Sequence, residues 1–344
     1  MPKPSSPHTL LPIFCLLASL LAPPVLASGE VNIYSARKED LIKPLLDDFS
    51  KQTGIKVNLV TGKEEALLQR LESEGMNTPA DLLLTSDAGR LTAAQKTGVL
   101  QAVKSASLDQ NIPAVYRDPD GYWYGLSVRA RPILYAKGRV KPEQLSTYEE
   151  LAAPQWKGKL CLRSSDSVYN QSLVAGMIAH HGEAKTEVWA KGLVANFARP
   201  PKGGDRDQIK AVAAGECDLT LANTYYLGGM VSASDEAEQQ AAAQIAVFWP
   251  DAKTTGVHVN VSGAGVTAHA RQRDNAIQLL EFLASDAAQR WYAEVNNEYP
   301  VNPAIPPSAV LKSWGEFKAD TLNVARLGQL NAVAVKLMDR AGWK

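Results

Sequence analysis

Two tyrosines stand side by side in "LTLANTYYLGGM", Tyr225 and Tyr226, just where an apolar run gives out. Neighbouring side chains of a β-strand point to opposite faces, so the pair can serve one site only after the backbone has left the strand. In a first helical turn successive side chains lie ~100° apart, and both phenols can face one cleft. Ionised phenol oxygens are hard donors suited to a highly charged cation; zinc or copper would favour His and Cys. Ionising one phenol of pKa ~10 at pH 7 costs about 4 kcal/mol, and three cost about 12 kcal/mol. Only an ion of large charge readily offsets this, and three phenolates balance Fe³⁺. Protons would compete for such ligands, so acid would release the metal. The commoner role of a Tyr-Tyr pair is packing with satisfied hydroxyls, and residue type alone does not decide between the two.

Two further stretches occupy the same setting between a strand and a helix. "LLLTSDAGR" offers Thr85, Ser86 and Asp87, and "LRSSDSVYNQ" offers Ser164 to Tyr169. Ser, Thr and Asp there serve as helix N-caps, and a helix N-terminus also attracts anions. Arg37 follows the first strand, while Arg129 and Arg131 alternate in "SVRARP" and so share a face. They pair with carboxylates, or one of them reaches the cleft and holds an anion that fills coordination positions left open by the tyrosines. "GAGVTA", residues 263–268, fits the dinucleotide glycine pattern on paper, but the alternation around it places it in extended structure. His180 and His181 precede Gly182 at a helix end, where they favour the helix dipole over metal binding. No G-x-S-x-G, H-E-x-x-H or C-x-x-C is present, which leaves the familiar hydrolase, metalloprotease and thiol redox routes without support.

The elements that must position these residues follow from the pattern. "VNIYS", "KVNLV" and "ADLLLTS" read as strands separated by helices, the first with Leu41, Leu45 and Phe49 at near-helical spacing before Gly54. After an irregular region with the cluster Tyr122, Trp123 and Tyr124, "GLSVRARPILYAKG" reads as one long extended segment. "KLCLRS" then opens a second strand-helix series that ends in "CDLTLANTYY", followed by extended runs at "AQIAVFWP" and "GVHVNVSGAGVTA" and by helical patterns. The expected fold is α/β, two lobes with the chain crossing between them more than once, each a mostly parallel sheet flanked by helices. Ligands of such sheets sit beyond the carboxyl ends of the strands, which is where the junctions above lie.

A chain of 344 residues with 45% hydrophobic content can fill about two such domains. Its 36 basic and 36 acidic residues cancel, removing the electrostatic signature of a nucleic-acid or anionic-membrane partner. Residues 1–27 carry one basic residue, Lys3, then an apolar run ending in Val25-Leu26-Ala27, the pattern of a signal peptide cleaved after Ala27. Removing Lys3 leaves 35 basic and 36 acidic residues, a net charge of −1. Cys15 leaves with the leader, and "LPIFC" lacks the small residues expected before a lipid-attachment cysteine. Cys161 and Cys217 each begin an apparent strand; they pair if those strands are neighbours in an oxidising compartment, or stay as buried thiols.

Taken in order, "NIYSARKED", "ADLLLTSDAGRL", "GLSVRARPILYAKGRVKPEQLSTYEELA", "RSSDSVYNQSLVAGM", "LTLANTYYLGGM", "HVNVSGAGV" and "NNEYPVNP" resemble the periplasmic ferric-iron-binding proteins of ABC importers, most closely the cyanobacterial type. The resemblance spans nearly the whole chain after the leader. It implies a type II periplasmic-binding-protein fold with extended hinge strands, lobe 1 from 28–128 and 258–304, lobe 2 from 129–257 and 305–344. It further implies a periplasmic monomer without catalytic activity that closes around Fe³⁺ and delivers it to an inner-membrane ABC permease. By motif, Tyr169, Tyr225 and Tyr226 match the phenolate ligands. Some relatives carry a His-Tyr ligand pair after "YSxR", where this chain has Lys38 and Glu39, so a fourth protein ligand is open, with Glu39 the candidate. A carbonate-like anion held by Arg37 or Arg129 would complete the shell, and Tyr34 would pack or support it from behind. The alternative is the same fold binding an organic cation or oxyanion, with Tyr122, Trp123 and Tyr124 lining the pocket.

Overall fold

The computed structural model describes residues 29–344. The leader, its cleavage site and Cys15 lie outside the described residues. Two sheets organise the rest. The larger has six strands in the order β2-β1-β3-β8-β4-β9, built from β1 (Glu30–Ser35), β2 (Lys56–Thr61), β3 (Leu82–Thr85), β4 (Tyr124–Ala130), β8 (Val259–Val266) and β9 (Tyr299–Pro300). The smaller has the order β6-β5-β7, with β5 (Ile133–Ala136), β6 (Leu219–Leu221) and β7 (Ile245–Phe248). Every residue of β3, β4 and β8 is buried, as expected of strands covered on both faces.

The α/β class is as the alternation of patterns predicts, but the sheets are less parallel than expected. β1 runs parallel to β2 and β3, whereas β8 is antiparallel to both β3 and β4, and β9 to β4. β5 is antiparallel to both of its neighbours. The cause is the connection. β8 brings the chain back from the small sheet and fills the gap between β3 and β4 directly, with no crossover helix to reverse it. The long extended segment also divides. β4 ends at Ala130 and β5 starts at Ile133, so Arg131 and Pro132 alone carry the chain from one sheet to the other. Proline lacks the N–H that would continue a ladder, which favours a break there.

"KLCLRS" forms less strand than its composition suggests. Only Leu160 bridges, to Phe197 and Leu219, both in parallel. Beyond it the backbone carbonyls serve side chains instead of a ladder: Arg163 O accepts from Asn170 Nδ2 at 3.0 Å and from Trp343 Nε1 at 2.9 Å. Cys161 and Cys217 are joined in a buried disulfide, which settles the alternative left open by the sequence. It ties the segment that leads into the Val168–His181 helix to the chain just before β6.

The first helix covers Lys43–Thr53 and buries Leu45, Leu46 and Phe49, while Leu41 falls in a separate 3₁₀ turn ahead of it. It stops at Gly54, whose φ of 77° is the left-handed cap geometry that glycine adopts without penalty. "GAGV" lies inside β8, extended as the alternation requires. His180 and His181 end the Val168–His181 helix and bond outward to Asp320 at 2.7 Å and Glu149 at 3.1 Å, so they do not form a joint metal site.

Candidate metal centre

The three phenols come from the first turns of two helices. Tyr169 is the second residue of Val168–His181, and Tyr225 and Tyr226 are the second and third of Thr224–Val231. β6 ends at Leu221, Asn223 is still extended at φ −69°, ψ 140°, and the helix begins one residue later. That turn puts both neighbouring rings on one side. Their centroids are 4.2 Å apart, and the Tyr225 hydroxyl donates to the Tyr169 hydroxyl at 3.1 Å. All three rings are half-buried. Burial, and next the phenols around it, push Tyr225 well above the ordinary phenol range; burial also raises Tyr226, with Tyr169 and then Asp205 adding to it. In the metal-free protein these two hydroxyls therefore keep their protons at neutral pH. The helix N-termini oppose this, because their positive ends favour negative charge in the first turn.

The phenols form one wall of a cleft of about 450 Å³, whose opposite wall includes Arg37, Arg129, Ser262 and Glu298. Arg37 donates from Nη2 to both oxygens of Glu298 at 3.0 Å, and Ser127 Oγ donates to Glu298 at 2.6 Å. Arg129 donates to Ser262 Oγ at 2.8 Å and to Val261 O at 3.2 Å, with Asp87 3.8 Å away. Both guanidiniums are buried, and among the described residues the Nε of each has no partner. Each guanidinium thus keeps N–H donors beyond those its structural bonds use.

Three guanidiniums lie around Tyr169, Arg129, Arg131 and Arg163, at 5.3, 5.9 and 5.2 Å from its ring centroid. Arg131 and Arg163 are held by opposite oxygens of the fully buried Asp205, at 3.1 and 2.8 Å. Negative charge drawn onto the Tyr169 oxygen by a bound cation has these groups within reach. Asp87 caps the Ala88–Lys96 helix through Gly89 N at 2.7 Å and also bonds Ser172 and Asn260. It therefore links the Tyr169 helix to β8. Burial pushes its carboxyl up to about 6, against the pull of Arg129.

Other expected residues sit elsewhere. Glu39 is exposed in the 3₁₀ turn Glu39–Leu41 and does not line the cleft, although Lys38 does. The turn aims its neighbour inward and Glu39 out to water, so Glu39 is no ligand in this arrangement. Tyr34 is buried against the large sheet with its hydroxyl on Glu74 at 2.9 Å and Arg70 over its ring, away from the cleft. Trp123 and Tyr124 are buried, Tyr124 bonding Val103 O at 2.8 Å, and none of Tyr122, Trp123 and Tyr124 lines the cleft. The pocket wall they were to supply for an organic ligand is absent there. Among the described residues no cluster of three or more His, Cys, Asp or Glu could hold a metal.

The model of the bacterial extracellular solute-binding protein family matches residues 45–319. The chain belongs to that family. Over 315 residues it is 50% identical to iron uptake protein A1 of Synechocystis, covering 92% of this chain and 88% of that protein. It is 51% identical to the Trichodesmium protein IdiA (FutA), solved in complex with iron and citrate ligands, with a TM-score of 0.89 over 92% of this chain and all of that one. Apo FutA2 from Synechocystis gives 46% identity and a TM-score of 0.88 over 92% and 100% of the two chains. The fold is thus the type II periplasmic-binding-protein fold.

Glu298 in the cleft, and Asp205 and Arg163 beside Tyr169, have little local signal in the sequence. Glu298 lay in plain view in "NNEYPVNP", but nothing in its spacing ties it to Arg37, 261 residues earlier. Asp205 and Arg163 were not singled out. A carboxylate at the start of a helix with apolar periodicity is the one local signal Asp205 gave.

Proposed function

We propose that this chain is the periplasmic carrier of an iron import system, binding Fe³⁺ through the phenolates of Tyr169, Tyr225 and Tyr226. The relatives it resembles at about half identity bear iron-uptake names, and one was solved with iron. The observation that carries the assignment to residues is the 3.1 Å approach of the Tyr225 and Tyr169 hydroxyls with the Tyr226 ring tilted alongside, in a cleft where Arg37 is already paired with Glu298. Three phenolates neutralise a trivalent ion, and the buried phenols bind it by giving up their protons. Ferric iron has open coordination positions after three ligands. A small anion such as carbonate, reached by the guanidiniums of Arg37 and Arg129 where they line the cleft, fills them.

In this reading lobe 1, 28–128 with 258–304, supplies Arg37, Ser262 and Glu298, and lobe 2, 129–257 with 305–344, supplies the tyrosines, with Arg129 at its first residue. Closure of the two sequesters the ion, and an inner-membrane ABC permease receives it from a monomeric carrier that performs no catalysis. Titration calorimetry with ferric citrate, and with small organic cations and oxyanions as rivals, tests it. Iron should bind at one site per chain, and Tyr225→Phe should weaken it by about a hundredfold or more, since even residues that merely support a ligand cost 10–100-fold. Binding of an iron-free solute with no response to iron would favour the alternative ligand class.

A further inference from the structure

Gly228 and Gly229 follow each other inside the eight-residue helix that presents Tyr225 and Tyr226. Glycine is a poor helix former, so two in succession need a reason other than local structure. At Gly229 an added Cβ would meet only the guanidinium of Arg206, Nη2 at 2.8 Å and Cζ at 3.9 Å, the far end of a long side chain. At Gly228 it would stand 2.6 Å from Asn297 Cβ, 2.9 Å from Cγ and 3.1 Å from Oδ1. Asn297 cannot readily retreat. It is buried, holds the left-handed geometry (φ 54°, ψ 37°) that caps the Asp286–Asn296 helix, and is fixed by its N–H to Tyr292 O. The next residue is Glu298, the partner of Arg37 on the arginine wall.

We infer that Gly228 is the contact on which the cleft shuts: its missing side chain lets the tyrosine helix seat against Asn297 and so sets the distance between the phenols and the opposite wall. Gly228 lies three residues after Tyr225, and a displacement here moves the phenols with it. It is a positioning residue that touches no metal. The inference rests on the iron-binding reading above, and it adds a residue that controls closure without donating an electron pair.

The test is Gly228→Ala with Asn297→Gly as its remedy, since all three crowding atoms belong to the Asn297 side chain and glycine suits φ 54°. Gly228→Ala should keep or raise the melting temperature of the metal-free protein, because alanine favours the helix. It should nevertheless weaken iron binding by about tenfold or more, as overpacking at a tight contact does. The double variant should recover most of that loss. Small-angle scattering of the same three proteins gives a second readout, a larger radius for Gly228→Ala alone. Unchanged affinity and radius in Gly228→Ala, or a loss that the double variant fails to recover, would overturn the assignment. If the unsubstituted chain takes up no iron, the functional reading fails, and the scattering comparison still decides the closing contact.

Discussion

On the tyrosine wall three phenols meet, and among the described residues no carboxylate or cation is hydrogen-bonded to their hydroxyls; on the facing wall, Arg37 and Arg129 already hold partners. The contrast is one of when charge exists. A neutral phenol is tolerable half-buried, so the tyrosines can wait unpaired and become anionic only when a cation arrives. A guanidinium is always charged, and removing it from water demands a standing partner, here Glu298 for Arg37 and the Ser262 hydroxyl with the Val261 carbonyl for Arg129. Binding strength should therefore reside in the first wall, and fold stability and anion capture in the second.

Acid separates the two walls most strongly. Tyr225 and Tyr226 are raised by burial in the metal-free protein, so they are protonated at neutral pH and iron uptake expels their protons. Each proton released changes apparent affinity by about tenfold per pH unit, about a thousandfold for three. Competition with a chelator of known pH dependence between pH 5 and 8 should show this slope, falling towards acid; a flat profile would place the ligands elsewhere. The same raised values act on the metal-free fold in the opposite range. Its stability is unaffected by these groups below ~10, where both states hold their protons, and declines above it as the unfolded chain ionises first.

Removing the disulfide ranks next. Cys161 and Cys217 are separated by 56 residues, and opening that loop should cost about 4 kcal/mol in urea unfolding of the Cys161→Ala, Cys217→Ala variant. Because the bridge ties together the segments leading to Tyr169 and to β6, iron affinity should fall as well. Glu298→Gln should destabilise the fold by about 3 kcal/mol through the unpaired Arg37, yet leave iron-phenolate absorption in place. An abolished band would show that the arginine wall supplies a ligand after all. Smallest is Tyr34→Phe, which loses the bond to Glu74; it should cost about 1 kcal/mol in melting experiments and leave iron uptake intact.

The tyrosine wall was the more legible of the two. An apolar run ending in adjacent tyrosines, and a Ser-rich helix start ending in Tyr169, are local patterns, and local patterns set first-turn geometry. The arginine wall depends on contacts between residues far apart in the chain, such as Arg37 with Glu298 or Arg129 with Ser262, and no periodicity carries those. Strand direction failed for a related reason. Alternation reveals that β8 is extended, but whether it runs with or against β3 and β4 follows from where the chain returns, a property of the whole path. Glu39 was a candidate through its place after "YSxR", and place in a motif says nothing of which face a 3₁₀ turn presents.

Visible absorption of the iron-loaded protein, taken for the native chain and for Tyr169→Phe, Tyr225→Phe and Tyr226→Phe in turn, tests the central claim most directly. Phenolate ligation of Fe³⁺ should give a coloured protein with a charge-transfer band that weakens or shifts in each single variant and bleaches on reduction. An iron-loaded protein without that band, or one whose band is untouched by all three substitutions, would contradict it.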